Sequence, residues 1–186
     1  MEYIKTCIDG VWIIEPKVFN DARGYFFEAW KKDEFEEHVG KVSFVQDNES
    51  KSSYGVLRGL HYQKGDFSQA KLVRVIKRTG GGCRCGHTQI VCHIRKICHG
   101  GAKRGKQTPA CLIPRGFAHG FLVLSDEAVF TYKVDNVYAP QHEASIRWND
   151  ETIDIKWPID INDIKTSEKD LTASRLARLI CSTDAN

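Results

Sequence analysis

No stretch of this 186-residue chain is both apolar enough and long enough to cross a membrane. No secretory signal opens it either. The two absences lead to the expectation of a cytoplasmic protein with reduced cysteines. A field of one sign is missing too. The 27 Lys and Arg against 24 Asp and Glu leave a net charge of +3, which is too small to argue for nucleic acid. Charges are interspersed, with no block of like sign. There is no internal repeat and no domain linker, so residues 1–186 are expected to form one domain with a substantial core.

Helical patterns are few, and short strands take their place. Residues 3–7 and 11–15 read as strands around the turn Asp9-Gly10. Asn20 to Gly24 is turn chemistry, with Gly24 at positive φ, and Arg23 and Glu28 flank aromatic residues there. Ala29 to His38 has helical spacing and ends at Gly40. Phe44 to Asn48 is a strand that runs into polar groups, followed by a Ser/Lys loop to Tyr54. Lys71 to Ile76 and Ala128 to Lys133 are further strands. Ile146–Asp150 and Ile153–Pro158 are short strands or turns, and Ser167 caps a C-terminal helix through about Leu179. Many short strands with few helices indicate an all-β sandwich or barrel.

Two stretches carry polar chemistry on strands. In Gly55 to Gln63, strict alternation sets Arg58 on one face and Leu57, Gly59, His61 and Gln63 on the other. A His beside two glycines and a Gln suits a pocket floor where a ligand nears the backbone. In Leu112 to Leu124, a turn at Pro114 and Gly116 leads into a strand with His119 between Phe117 and Phe121. His is the usual proton carrier near neutral pH. A Tyr such as Tyr132 can serve as the opposing acid, and a Lys such as Lys71 can stabilise an enolate. Arginines such as Arg23 and Arg58 fit a diphosphate. Gln46, Asn48 and Glu143 join this set from loops and strand ends. Together they suit proton abstraction beside a carbonyl in a nucleotide-linked substrate.

Several motifs occur in order: Asp-x-Arg-Gly-x-Phe-x-Glu, Val-Gln-Asp-Asn, Gly-Val-Leu-Arg-Gly-Leu-His-Tyr-Gln, Lys-Leu-Val-Arg-Val, Ile-Pro-Arg-Gly-Phe-Ala-His-Gly-Phe and Tyr-Lys-x-x-Asn-x-Tyr. Over residues 3–77 and 112–170 the chain resembles the dTDP-4-dehydrorhamnose 3,5-epimerases. The resemblance implies a cupin-type jelly roll with short peripheral helices and a C-terminal helix. It implies a homodimer in dTDP-L-rhamnose and cell-surface polysaccharide (O-antigen) synthesis, with no metal or other cofactor. Consistent with that, the His-x-His…Glu set of metal-binding cupins is absent, since Gly59-Leu-His61 offers a single His. By the same resemblance His61 would be the base, paired with Asp170. Tyr132 would return a proton from the opposite face, and Lys71 would hold the enolate. Arg58 and Arg23 would hold the diphosphate of a dTDP-linked 4-keto-6-deoxy sugar, Arg23 from the partner subunit. Glu28, Gln46, Asp47, Asn48 and Glu143 would contact nucleotide or sugar, Tyr138 would stack on thymine, and His119 and Lys169 would line the site. The rival class is a non-catalytic sugar-nucleotide-binding jelly roll, which would need no base and opposed acid.

Residues 78–111 depart from the resemblance. They hold Cys83, Cys85, Cys92, Cys98 and Cys111, and their strand alternation is lost. A zinc site on Cys83, Cys85, His87 and Cys92 is one reading, though the spacings match no known finger or ribbon. A shifted reading frame is the preferred one. Gly82 to Gln89 can be encoded GGA TGT CGC TGT GGA CAT ACG CAA. From the second base this reads Asp-Val-Ala-Val-Asp-Ile-Arg, an alternating strand. As written, the segment is expected to lose central strands and to leave an epimerase relative of low activity.

Overall fold

The computed structural model describes residues 1–79, 87–92, 96–101 and 109–176, and for 77–79, 87–92 and 96–101 it describes the backbone alone. The strands are β1 (Glu2–Lys5), β2 (Trp12–Glu15), β3 (Phe19–Asp21), β4 (Gly24–Phe26), β5 (Gln46–Ser53), β6 (Leu57–Gln63), β7 (Lys71–Thr79), β8 (His87–Cys92), β9 (Lys96–Gly101), β10 (Ala110–Ile113), β11 (His119–Leu122), β12 (Glu127–Val134) and β13 (Glu143–Ser145). Two short helices join them, α1 (Lys32–His38) and α2 (Glu168–Leu171). One sheet has the order β1-β2-β10-β7-β12-β5, and the other β13-β6-β11-β8-β9. The pairings within both are antiparallel, which makes the jelly roll that the motifs implied.

Alternation explains the core. Val73, Cys111, Ile113 and Phe130 from the first sheet meet Phe121 and Val123 from the second. On the outer face of the first sheet, Ile14, Leu72, Ala110 and Leu112 pack against Phe35 of α1, which is fully buried. β10 is therefore covered on both faces, and its four residues are all buried. This is why Ala110 to Ile113 reads as a continuous apolar run.

Several expectations are corrected. The polar stretch after Asn48 is strand, not loop. β5 pairs with β12 from Gln46↔Val134 to Glu127↔Ser53. As the edge strand of its sheet it carries polar side chains that alternation outside a core permits. The C-terminal helix, expected to run unbroken through about Leu179, is interrupted after its first turn. α2 ends at Leu171, and Ser174 leaves helix geometry to form an isolated parallel bridge with Ile146, the residue after β13. Residues 177–186 lie outside the description. Of the two readings left open for residues 146–150, strand or turn, Asp150 makes the turn, accepting from Thr152 N, Ile153 N and Leu176 N.

The segment expected to lose its strands carries two along its backbone. β8 pairs with β11 from Gly120↔Gln89 to Leu122↔His87, and with β9 from His87↔Gly101 to Cys92↔Lys96. Ladder bonds come from the main chain, and Thr88, Ile90 and Val91 are β-branched, so pairing survives the loss of alternation. Cys83 and Cys85 of the zinc reading lie outside the described residues, as do the side chains of His87 and Cys92.

Candidate active site

The site lies between the sheets, around β6. Gly59 and Gly120 face each other across β6 and β11. A Cβ on Gly59 would come within 2.5 Å of the Gly120 Cα, and φ at Gly59 is +132°. Two strands can approach this closely only without side chains. Gly59 thus serves strand packing, where a ligand approach had been expected. The ladder shifts here: His119 pairs with His61 and Phe121 with Arg58, so three steps on β6 match two on β11. The bulge has a chemical consequence. Strict alternation put Arg58 and His61 on opposite faces, but the extra residue turns both into one cavity.

That cavity has a volume of about 430 Å³. Arg58, His61 and His119 line it from the second sheet, Lys71, Phe130 and Tyr132 from the first. A second cavity of about 350 Å³ is lined by Gln46, Asn48, Gln69, Tyr138 and Glu143. His61, Lys71 and Tyr132 line both, so these three stand where the two chambers meet. The first chamber includes an aromatic wall of Phe121 and Phe130, stacked at 4.2 Å. The second is walled mainly by amides, hydroxyls and a carboxylate.

His61 Nε2 lies 2.6 Å from Asp170 Oδ1, a contact across 109 residues of sequence. Asp170 is 2% exposed. Burial pushes its carboxyl up, but the His61 contact and the Ser167 hydrogen bonds outweigh this and hold it below the usual range. Ionised, Asp170 can only accept, so Nε2 carries the hydrogen and Nδ1 is the nitrogen left to take a proton. Ser167 caps α2, as its sequence position suggested, by accepting from Asp170 N at 3.2 Å.

Lys71 has no ion pair within 4 Å among the described residues, and burial lowers its pKa against the opposing pull of Glu143. Tyr132 is pushed up by burial, with Arg58 opposing, so it stays a protonated acid at neutral pH. His119 is buried against Phe130, its rings stacked at 5.9 Å. Burial, with Lys71 and His61 nearby, drives its pKa well down. Among the described residues its buried Nε2 has no hydrogen-bond partner.

In the second chamber, Tyr138 donates to Glu143 at 2.7 Å, and Lys169 pairs with Glu143 at 2.5 Å. Burial raises Glu143, but Lys169 and Tyr138 outweigh it and lower its pKa. Gln46 Nε2 donates to Asn48 Oδ1 at 2.7 Å. Gln63, placed by alternation on the pocket floor, uses its amide to tie the turn at Phe67 to the loop that carries Tyr138. It donates to Phe67 O and Val137 O and accepts from Ala139 N.

Four expected contacts stand away from both chambers in this chain. Arg23 is bound to its own Asp21 on the β3–β4 hairpin, its side chain 91% exposed. Glu28 is exposed, Asp47 is paired with Lys133 at 2.6 Å, and Lys169 reaches the site only through Glu143. Sequence reasoning missed Ser50, Phe130, Lys165 and Thr166, which line the first chamber. Phe130 had a signal, since it stands two residues before Tyr132 on one strand.

A His–Asp dyad, a tyrosine hydroxyl and a half-buried lysine meet at one cavity, a set of groups whose chemistry suits proton transfer. The family model of the dTDP-4-dehydrorhamnose 3,5-epimerases matches residues 5–81 and 102–178. The chain is 48% identical over 166 residues to the dTDP-4-dehydrorhamnose 3,5-epimerase of Salmonella typhimurium, covering 85% of this chain and 86% of that one. It is 38% identical to a Legionella pneumophila dTDP-6-deoxy-D-glucose-3,5-epimerase solved in complex with dTDP-4-keto-L-rhamnose, with a TM-score of 0.83 over 95% and 93% of the chains. A 3'-monoepimerase of Streptomyces bikiniensis in complex with dTDP-quinovose is 28% identical, with a TM-score of 0.82 over 96% and 89%. The chain belongs to the dTDP-4-dehydrorhamnose 3,5-epimerase family. The family match passes over residues 82–101, inside the cysteine-rich segment.

Proposed function

We propose that this chain epimerises C3 and C5 of dTDP-4-dehydro-6-deoxy-D-glucose to give dTDP-4-dehydro-L-rhamnose. The observation that carries this is the pairing of His61 with Asp170 in a chamber that Tyr132 enters from the facing sheet. His61 Nδ1 removes the proton from the carbon beside the 4-keto group, and the electron pair moves onto O4 as an enolate. Asp170 stabilises the imidazolium that forms. Lys71 stabilises the enolate oxygen, which is what makes the carbon acidic enough to lose a proton. Tyr132 then gives its phenolic proton to the opposite face of the same carbon. Solvent recharges the tyrosine and discharges the histidine.

His119, kept neutral by burial and with no partner to its Nε2 among the described residues, offers the sugar a hydrogen bond. The polar chamber takes the nucleotide: Tyr138 stacks on thymine, Gln46, Asn48 and Glu143 surround it, and Lys169 acts through its ion pair with Glu143. Arg58 meets the diphosphate. Arg23, Glu28 and Asp47 contact substrate in a homodimer, Arg23 from the partner. Support for that assembly comes from the β3–β4 hairpin, which pairs with no other described strand and exposes Phe19, Tyr25 and Phe26 around Arg23. The protein works in the cytoplasm, in the supply of dTDP-L-rhamnose.

The test is turnover of the 4-keto substrate in deuterium oxide, with the product read by NMR. Deuterium at both C3 and C5, lost in His61→Ala, is expected. Deuterium at C3 alone would make the chain a 3-epimerase, and binding without exchange would make it a sugar-nucleotide-binding protein.

A further inference from the structure

The dyad has a third member in the structure. Asp170 presents two oxygens. Oδ1 meets His61, and Oδ2 accepts a hydrogen bond from Ser167 Oγ at 2.9 Å. The same hydroxyl accepts from Asp170 N at 3.2 Å. Ser167 is thus bonded to the backbone and the side chain of one residue three positions on. Thr172 secures the other end of the single turn, donating to Glu168 O at 3.0 Å.

The terminal torsion of an aspartate is broad, so packing alone does not choose which oxygen faces a partner. Among the described residues Ser167 supplies the one side-chain donor to Oδ2. We propose that Ser167 is a positioning residue for the epimerase reaction: its hydroxyl fixes the Asp170 carboxylate so that Oδ1 stays on His61 Nε2 and Nδ1 stays aimed into the chamber. The inference rests on the proposed epimerase function. A cap alone would need Ser167 only as an acceptor. Donation to Oδ2 is the added feature, and it costs the helix nothing.

Capping and positioning can be separated experimentally. Gly serves almost as well as Ser at an N-cap, yet it has no hydroxyl. Ser167→Gly is therefore expected to stay folded by circular dichroism, while kcat falls about tenfold or more, the range of one hydrogen bond to a charged group. KM should stay within about threefold, because uniform substrate binding is untouched. The acid limb of kcat/KM should move to higher pH. A carboxylate without its donor is less stabilised as the anion, so the dyad takes up a proton more readily. Ser167→Thr keeps the hydroxyl and should restore both kcat and the acid limb. A folded Ser167→Gly enzyme with wild-type kcat and pH profile would overturn the proposal, and so would a folded, inactive Ser167→Thr enzyme. Wild-type protein that exchanges no protons would instead sink the epimerase reading itself.

Discussion

Replacing Asp170 by Asn keeps the shape of the site and removes one charge. The amide oxygen can still accept from His61 Nε2 when the amide nitrogen turns to Ser167 Oγ. What is lost is the anion 2.6 Å from the ring at the moment the ring becomes an imidazolium. A hydrogen bond to a charged group contributes about 1.5–3 kcal/mol, so kcat should fall roughly 10- to 150-fold. Burial argues for the upper part of that range, since Asp170 is 2% exposed and little water screens the pair. The assay is wash-in of solvent deuterium at C3 and C5, followed by mass spectrometry at substrate saturation. Both positions should slow together, because one base serves both. Asp170→Asn protein that is folded and exchanges within threefold of wild type would refute the assignment of the dyad. Loss at one carbon only would refute the single-base scheme.

Three further outcomes follow from the same geometry. Tyr132→Phe removes the acid while leaving the base, so exchange at C3 should persist while net epimerised product falls by about 10²-fold or more; equal loss of both would place Tyr132 outside proton return. Asp170 and Glu143 both have lowered pKa values, so their stabilising contribution is full above the values 3.8 and 4.5 of the free side chains and lost as pH falls through the folded values. Urea midpoints should therefore be flat from neutrality down to that range and drop below it, and Asp170→Asn should weaken the drop; an unchanged acid profile in that variant would count against the buried anion. Sequencing the gene across codons 77–112 is expected to return the shifted frame with Asp-Val-Ala-Val-Asp-Ile-Arg, whereas in-frame DNA and matching cysteine-rich peptides would show the written segment to be real.

Alternation alone was enough to assign His61, Lys71, His119 and Tyr132 to strands, because a strand's two-residue period is a local property. Ser167 as a helix cap was equally legible, since its partner is three residues away. The Gly24 turn was local too, and its φ is +136°. The polar run after Asn48 hid a strand, because an edge strand has no apolar signature on its outer side. The family motifs supplied the pairing of Asp170 with His61, which periodicity could not.

Only the tertiary structure decided how these pieces meet. Where Gly59 approaches Gly120 the ladder shifts register, and Arg58 lines the same cavity as His61. The end of α2 at Leu171 is set by the bridge from Ser174 to Ile146, against an expected run through about Leu179. Gln63 became a brace because the backbone of the distant loop of Val137 and Ala139 comes within its reach beside the nearby Phe67 carbonyl. The physical division is one of range. Periodicity, capping and turn chemistry act over a few residues and are written in the chain. Strand register, bulges and the pairing of an acid with a base 109 residues earlier depend on which surfaces pack, and these form only when the two sheets close on each other.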